Sequence, residues 1–186
     1  MEFTVLKTRV KISPLFFAVL TAFLLADRGG IAAPVICFSL LHELCHFAVL
    51  GALKKAPREV NISAAGISMR LCGMSTTERV LVFAAGAAGN FAAAALCFAV
   101  GGGLFCGVNL AIGIFTMLPL CSTDGGSIFA ALAEKFFPER AKQLCKAVFT
   151  ACGAITAAAL FAAAAVYENP YLLIGAFYAV ICLIKY

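Results

Sequence analysis

Leu41-His42-Glu43-Leu44-Cys45-His46-Phe47 is an H-E-x-x-H sequence set inside a long apolar run, residues 31–53. On a helix, residues four apart share a face, so the imidazoles of His42 and His46 can converge on one metal ion. Glu43 follows directly and can reach a water bound to that ion. Activating a water needs this set: two neutral nitrogen ligands, an open coordination position, and a carboxylate to take the proton. The chain has only two histidines, and both stand in this pattern. The alternative is a pair of satisfied core histidines. Against it, two imidazoles and a carboxylate at membrane depth are costly unless they serve a function.

The surrounding composition sets that depth. Of 186 residues, 63% are hydrophobic and 12% charged, with a mean hydropathy of +1.03. A soluble domain is nearer half apolar and a quarter charged. The composition therefore excludes an ordinary soluble domain and implies an integral membrane protein. The net charge of +5 comes from Lys and Arg spaced between apolar runs, with no continuous patch. It reads as membrane topology, and no nucleic-acid partner is expected. The nine cysteines include no C-x-x-C pair and read mainly as small apolar residues. Cys45 and Cys121 stand near candidate ligands and could in principle bind metal.

The N-terminus is basic (Lys7, Arg9, Lys11), and its alternation hints at a strand. Residues 12–26 follow as an uncleaved first span, because no small-residue cleavage site succeeds them. Further apolar runs lie at 31–53, 78–100, 104–118, 147–166 and 171–184. Residues 60–71 are too short and polar to span and alternate in strand fashion, as a small hairpin with Gly66 supplying its turn or as an interfacial loop. Residues 84–90 (Ala-Ala-Gly-Ala-Ala-Gly-Asn) allow close helix approach in lipid. Within them Asn90 either faces the site or bonds between helices. Pro119 ends the fourth run, and Gly125-Gly126 permits unusual backbone angles. Asp124, one of two aspartates, sits in that break. It is either a third metal ligand or the cap of a helix at 127–136.

These runs predict an all-α polytopic membrane protein of about six transmembrane helices with a small membrane-associated β-hairpin. One membrane-embedded domain over 1–186 is expected, with its core at about 31–126 and accessory spans at 12–26, 147–166 and 171–184. Basic residues gather at the N-terminus, at 54–79, at 135–146 and at Lys185, while the loops at 27–30, 101–106 and 167–170 have no net positive charge. Both termini are therefore expected in the cytoplasm.

With these residues in place, the chain resembles the site-2 protease family of intramembrane zinc metalloproteases, and within it the short bacterial branch of sporulation stage IV. The family pairs H-E-x-x-H with an N-x-x-P-x-x-x-x-D-G motif two spans later. Here the second motif runs Thr116-Met117-Leu118-Pro119-Leu120-Cys121-Ser122-Thr123-Asp124-Gly125, in register at Pro, Asp and Gly. Lys11-Ile12-Ser13-Pro14-Leu15-Phe16 and the stretch from Gly86 to Asn90 also look like the family. The likeness spans residues 5–130. Thr116 departs from it, standing where the family usually has Asn, and Ser122 stands where a Pro is common.

The resemblance implies one Zn2+ per chain on His42, His46 and Asp124, with Glu43 as the catalytic base. Thr116, Asn90 and Asn109 are candidates for positioning substrate. The implied activity is hydrolysis of peptide bonds in or next to a transmembrane segment of another protein. Expected partners are that membrane-embedded or membrane-apposed substrate, the lipid bilayer and regulatory membrane proteins. The alternative is a non-catalytic zinc-binding membrane protein, a carrier or an inactive relative acting as an accessory subunit.

Overall fold

The computed structural model describes residues 1–5, 8–27, 29–63, 66–169 and 171–184. The described residues form four strands and seven helices, divided into two compact units, Met1–Thr116 and Met117–Tyr186.

The first unit holds β1 (Glu2–Val5), β2 (Thr8–Ile12), α1 (Pro14–Ala26), α2 (Ala32–Ala52), β3 (Glu59–Ser63), β4 (Gly66–Arg70), α3 (Thr76–Ala99) and nearly all of α4 (Gly103–Met117). The expected hairpin forms as β3 and β4, paired antiparallel from Glu59↔Arg70 to Ser63↔Gly66. Gly66, expected to supply the turn, is the first residue of β4 and has a φ of +104°, while residues 64 and 65 lie outside the described residues. The hairpin is half of a larger sheet, ordered β1-β2-β3-β4. The basic N-terminal segment supplies the other half, and β2 runs parallel to β3 with Arg9 opposite Glu59. Parallel strands need a long crossover. Here α1 and α2 provide it, so the pairing links segments far apart in sequence and carries no local signature. Lys11 Nζ lies 3.3 Å from Glu59 and 3.7 Å from Glu2, linking the three strands.

Two devices fix the helices that carry the motif. Asp27 receives the backbone N–H groups at the start of α2, Ile31 on Oδ1 at 3.1 Å and Ala32 on Oδ2 at 2.9 Å. These amides have no partner inside the helix, and the carboxylate satisfies them. The bond from Ala32, with those from Ile31 and Gly29, holds the Asp27 carboxyl below its usual range. At the start of α3, Ser75 and Glu78 form a capping box. Lys55 Nζ, just past the end of α2, donates to Glu78 Oε2 at 2.8 Å and to the Gly73 carbonyl at 2.9 Å. The end of α2 is thus tied to the beginning of α3.

The second unit holds α5 (Asp124–Phe136), α6 (Ala141–Val166) and α7 (Tyr171–Ile184). Small buried residues dominate the α6 and α7 pair: Gly153, Ala157 and Ala164 on one, Ala176 and Ala179 on the other. Such residues let helices approach closely in lipid. Ala133, Ala141, Cys145 and Phe149 form an apolar cluster where α5 meets α6.

Of the described helices, α2, α3 and α6 are long and apolar enough to cross a membrane. The expected spans at 12–26, 104–118 and 171–184 appear as shorter apolar helices of 13, 15 and 14 residues. At 1.5 Å per residue, fifteen residues rise about 22 Å, short of a hydrocarbon layer of about 30 Å.

Candidate metal centre

The site is built on the packing of α2 against α3. On α2 the buried residues include His42, His46 and Leu50, spaced by four. On α3 they include Val82, Gly86, Asn90 and Ala94, also spaced by four. Each helix thus offers one stripe to the other, and the polar groups of both stripes meet.

His46 Nδ1 lies 2.7 Å from the backbone carbonyl of Val82, and His42 Nδ1 lies 2.7 Å from Asn90 Oδ1. Both partners are oxygens that only accept, so each Nδ1 must carry the ring proton. In a neutral imidazole the other nitrogen is then a lone pair. The two Nε2 atoms face each other at 3.1 Å, with the rings nearly perpendicular at 85°. Two converging lone pairs repel unless a cation lies on them, so the donor set fits a metal ion. Both imidazoles are buried, with His46 only 1% exposed. This arrangement of a ligand nitrogen on one side of the ring and an anchoring bond on the other is how proteins orient metal-binding histidines.

Gly86 makes room for them. A Cβ there would stand 2.5 Å from His42 Cε1 and 2.5 Å from His46 Nε2. Gly89 does the same for Cys45, whose Sγ would lie 2.3 Å from an added Cβ. Cys45 therefore packs toward α3 as an apolar residue. Glu43 is half-buried, with its Oε2 shielded from solvent.

Asn90 and Asn109 join the histidines through hydrogen bonds. Asn90 Nδ2 donates to Asn109 Oδ1 at 3.0 Å and to the Phe38 carbonyl at 3.2 Å. Asn109 Nδ2 donates to the Phe105 carbonyl at 2.8 Å. Both open readings of Asn90 are realised, since it binds between helices and faces the site. Thr116 directs its hydroxyl into its own helix, toward Ile112 O at 3.0 Å and Gly113 O at 3.2 Å.

Asp124 lies in the second unit as the first residue of α5. Thr123, not Asp124, is the cap, and its Oγ1 accepts from Gly126 N at 3.3 Å. The same hydroxyl reaches Leu118 O at 2.5 Å, pulling the chain after α4 back over the helix start. That fold explains Gly125-Gly126 differently from the backbone-angle reading. Both glycines are helical and neither has positive φ. Their need is space: an added Cβ would stand 2.0 Å from Met117 O at Gly125 and 1.7 Å from Leu120 O at Gly126. The Asp124 carboxylate is half-buried and sits at the positive end of the helix dipole.

The roles of Val82 and Gly86 were not visible in the sequence. Every residue carries a carbonyl, so nothing marks Val82. Gly86 stands four residues before Asn90, which is the one signal that it shares Asn90's face.

No protein-family profile matches the sequence, and no curated protein sequence matches it. Among solved structures, the site-2 protease from Methanocaldococcus jannaschii is similar to the chain with a TM-score of 0.69. The match covers 100% of this chain and 94% of that one at 15% sequence identity. At that identity the likeness shows a shared fold. The apolar helices α2, α3 and α6 together with that fold make this a membrane protein.

Proposed function

We propose that the chain is a zinc-dependent intramembrane endopeptidase. The observation that carries this is the pair of Nε2 atoms on His42 and His46, converging at 3.1 Å with both Nδ1 positions anchored. The register of the two sequence motifs assigns the zinc ligands in this reading to His42, His46 and Asp124, and the fold is similar to that of a site-2 protease. Bound zinc would lower the pKa of a water from 15.7 toward about 7. Glu43, one residue from the first ligand, takes a proton from the attacking water on its carboxylate and gives it to the leaving amide nitrogen. Asn90 and Val82 hold the rings. Gly86 keeps their space clear. Thr116 occupies the position of the family's Asn, and its hydroxyl would have to leave Ile112 and Gly113 to meet a substrate carbonyl.

The substrate in this reading is a membrane-embedded or membrane-apposed segment of another protein, unwound so that its carbonyls are accessible. In this reading six apolar helices lie in the membrane, the three shorter ones among them, and both termini face the cytoplasm, as the distribution of Lys and Arg between the apolar runs suggests. Co-expression with single-span candidate substrates tests the function. Native protein should cleave, while Glu43→Gln should keep its zinc and lose at least about 10²-fold in rate, the lower range for a general base. Equal cleavage by Glu43→Gln would overturn the proposal. A protein that binds zinc but cleaves nothing, native or variant, would be a zinc-binding membrane protein of another kind.

A further inference from the structure

We infer that Asn109, a positioning residue on α4, sets the tautomer of His42 through Asn90. This rests on the reading of His42 as a zinc ligand. The relay has a direction that each partner's chemistry fixes. The Phe105 carbonyl can only accept, so it holds the Asn109 amide with its NH2 group toward Phe105 and its Oδ1 toward Asn90. Asn109 Oδ1 and the Phe38 carbonyl, both acceptors, then fix the NH2 group of Asn90 toward themselves. Only Asn90 Oδ1 remains to face His42 Nδ1, at 2.7 Å. A proton must sit between them, and the Nε2 lone pair is left for metal.

The alternative orientation shows why Asn109 matters. If the Asn90 amide turned over, its NH2 would face His42 Nδ1, and the ring would move its proton to Nε2. A ligand nitrogen would become a donor, and metal binding at that ring would end. In the native arrangement the turn sets Asn90 Oδ1 against two carbonyl-type oxygens with no proton between them. Asn90 and Asn109 are both fully buried, so no water offsets that repulsion. His46 needs no such relay, because its acceptor is the backbone carbonyl of Val82, which cannot turn over. Removing the acceptor at 109 therefore loosens one imidazole and leaves the other fixed.

The test uses the full chain in detergent, labelled with nitrogen-15 at histidine, before zinc is added. With two histidines in the sequence, four ring nitrogens report everything. Native protein should show the Nδ1–H tautomer at both rings. Asn109→Leu, which keeps the volume and removes the acceptor, should give mixed tautomers at His42 and leave His46 unchanged. After zinc loading, Asn109→Leu should release zinc to a chelator about 10–100-fold faster than native protein, the usual range for a group behind a ligand. Asn109→Asp keeps an acceptor toward Asn90 and, protonated, a donor toward Phe105, and should restore the native tautomer. An Nε2–H tautomer at His42 in the native protein would overturn the inference even if no variant folds. So would an unchanged His42 tautomer and zinc release in Asn109→Leu. Tautomers behaving as described in a protein that takes up no zinc would instead refute the zinc reading and leave the relay standing.

Discussion

The helix pairs α2 with α3 and α6 with α7 are both apolar, and both bury small residues, yet they bury different things. Between α6 and α7 the buried contacts are apolar: Gly153, Ala157, Ala164, Ala176 and Ala179, with Phe161 and Phe177 edge to face at 5.7 Å. Between α2 and α3 the same kind of small-residue stripe surrounds two imidazoles and an amide. Buried polar groups are expensive unless hydrogen-bonded. The first pair packs on small apolar residues alone, and the second holds buried polar groups as well, with hydrogen bonds at both Nδ1 atoms and at the Asn90 amide.

One glycine substitution in each pair breaks or confirms this contrast. Gly86→Ala drives a Cβ into both imidazoles, whose positions are fixed at Nδ1. It should abolish zinc binding and lower activity by at least about 100-fold, the usual result of displacing reacting groups by an ångström. Gly153→Ala meets Leu183 Cδ2 at 2.8 Å, the far end of a flexible side chain. It should leave zinc content and cleavage within about twofold of native, since a side chain end can move to another rotamer. Zinc analysis and initial cleavage rates on the two variants decide the matter. Equal effects would erase the distinction between the pairs.

A smaller effect is expected beside the site. Gly89→Ala would press on Cys45 Sγ, so it should lower thermal stability, and Cys45→Ala should relieve it. A double-mutant cycle should give a coupling of about 1–2 kcal/mol. Additive effects would show that the two residues do not meet. Smaller again, Ser75→Ala removes half of the α3 capping box and should cost about 1 kcal/mol of stability with zinc content unchanged.

The least effect concerns the start of α2. The folded Asp27 carboxyl lies below its usual range. A group whose folded pKa is depressed adds stability above its unfolded value, near about 3.9, and loses it as pH falls through the folded value. Thermal melts followed by circular dichroism should show native protein above Asp27→Asn at pH 6, with the gap closing as the pH falls below the unfolded value. A gap independent of pH would mean that the carboxylate charge does not hold the helix start.

How much of this could be read from the sequence follows the range of each interaction. The convergence of His42 and His46 was legible because their relation is local, one turn of one helix. The β3–β4 hairpin was legible for the same reason. The pairing of β2 with β3 was not, since it joins strands across two helices. Asn90 and Asn109 stood out as polar residues in apolar runs, but nothing local showed that they bond to each other or which way the amides point. Gly125 and Gly126 were visible as a pair, while their reason, carbonyls of Met117 and Leu120 lying over them, depends on how the chain folds back. Three apolar runs, 12–26, 104–118 and 171–184, read as spans by hydropathy, and their helices proved shorter than a bilayer requires.

Zinc content measured on purified protein decides whether His42 and His46 hold a metal. Close to one zinc per chain is expected in native protein and in Glu43→Gln, and little in His42→Ala, His46→Ala and Asp124→Ala, because each would remove one of the proposed ligands. Native protein without zinc, or His46→Ala with a full complement of it, would contradict the account.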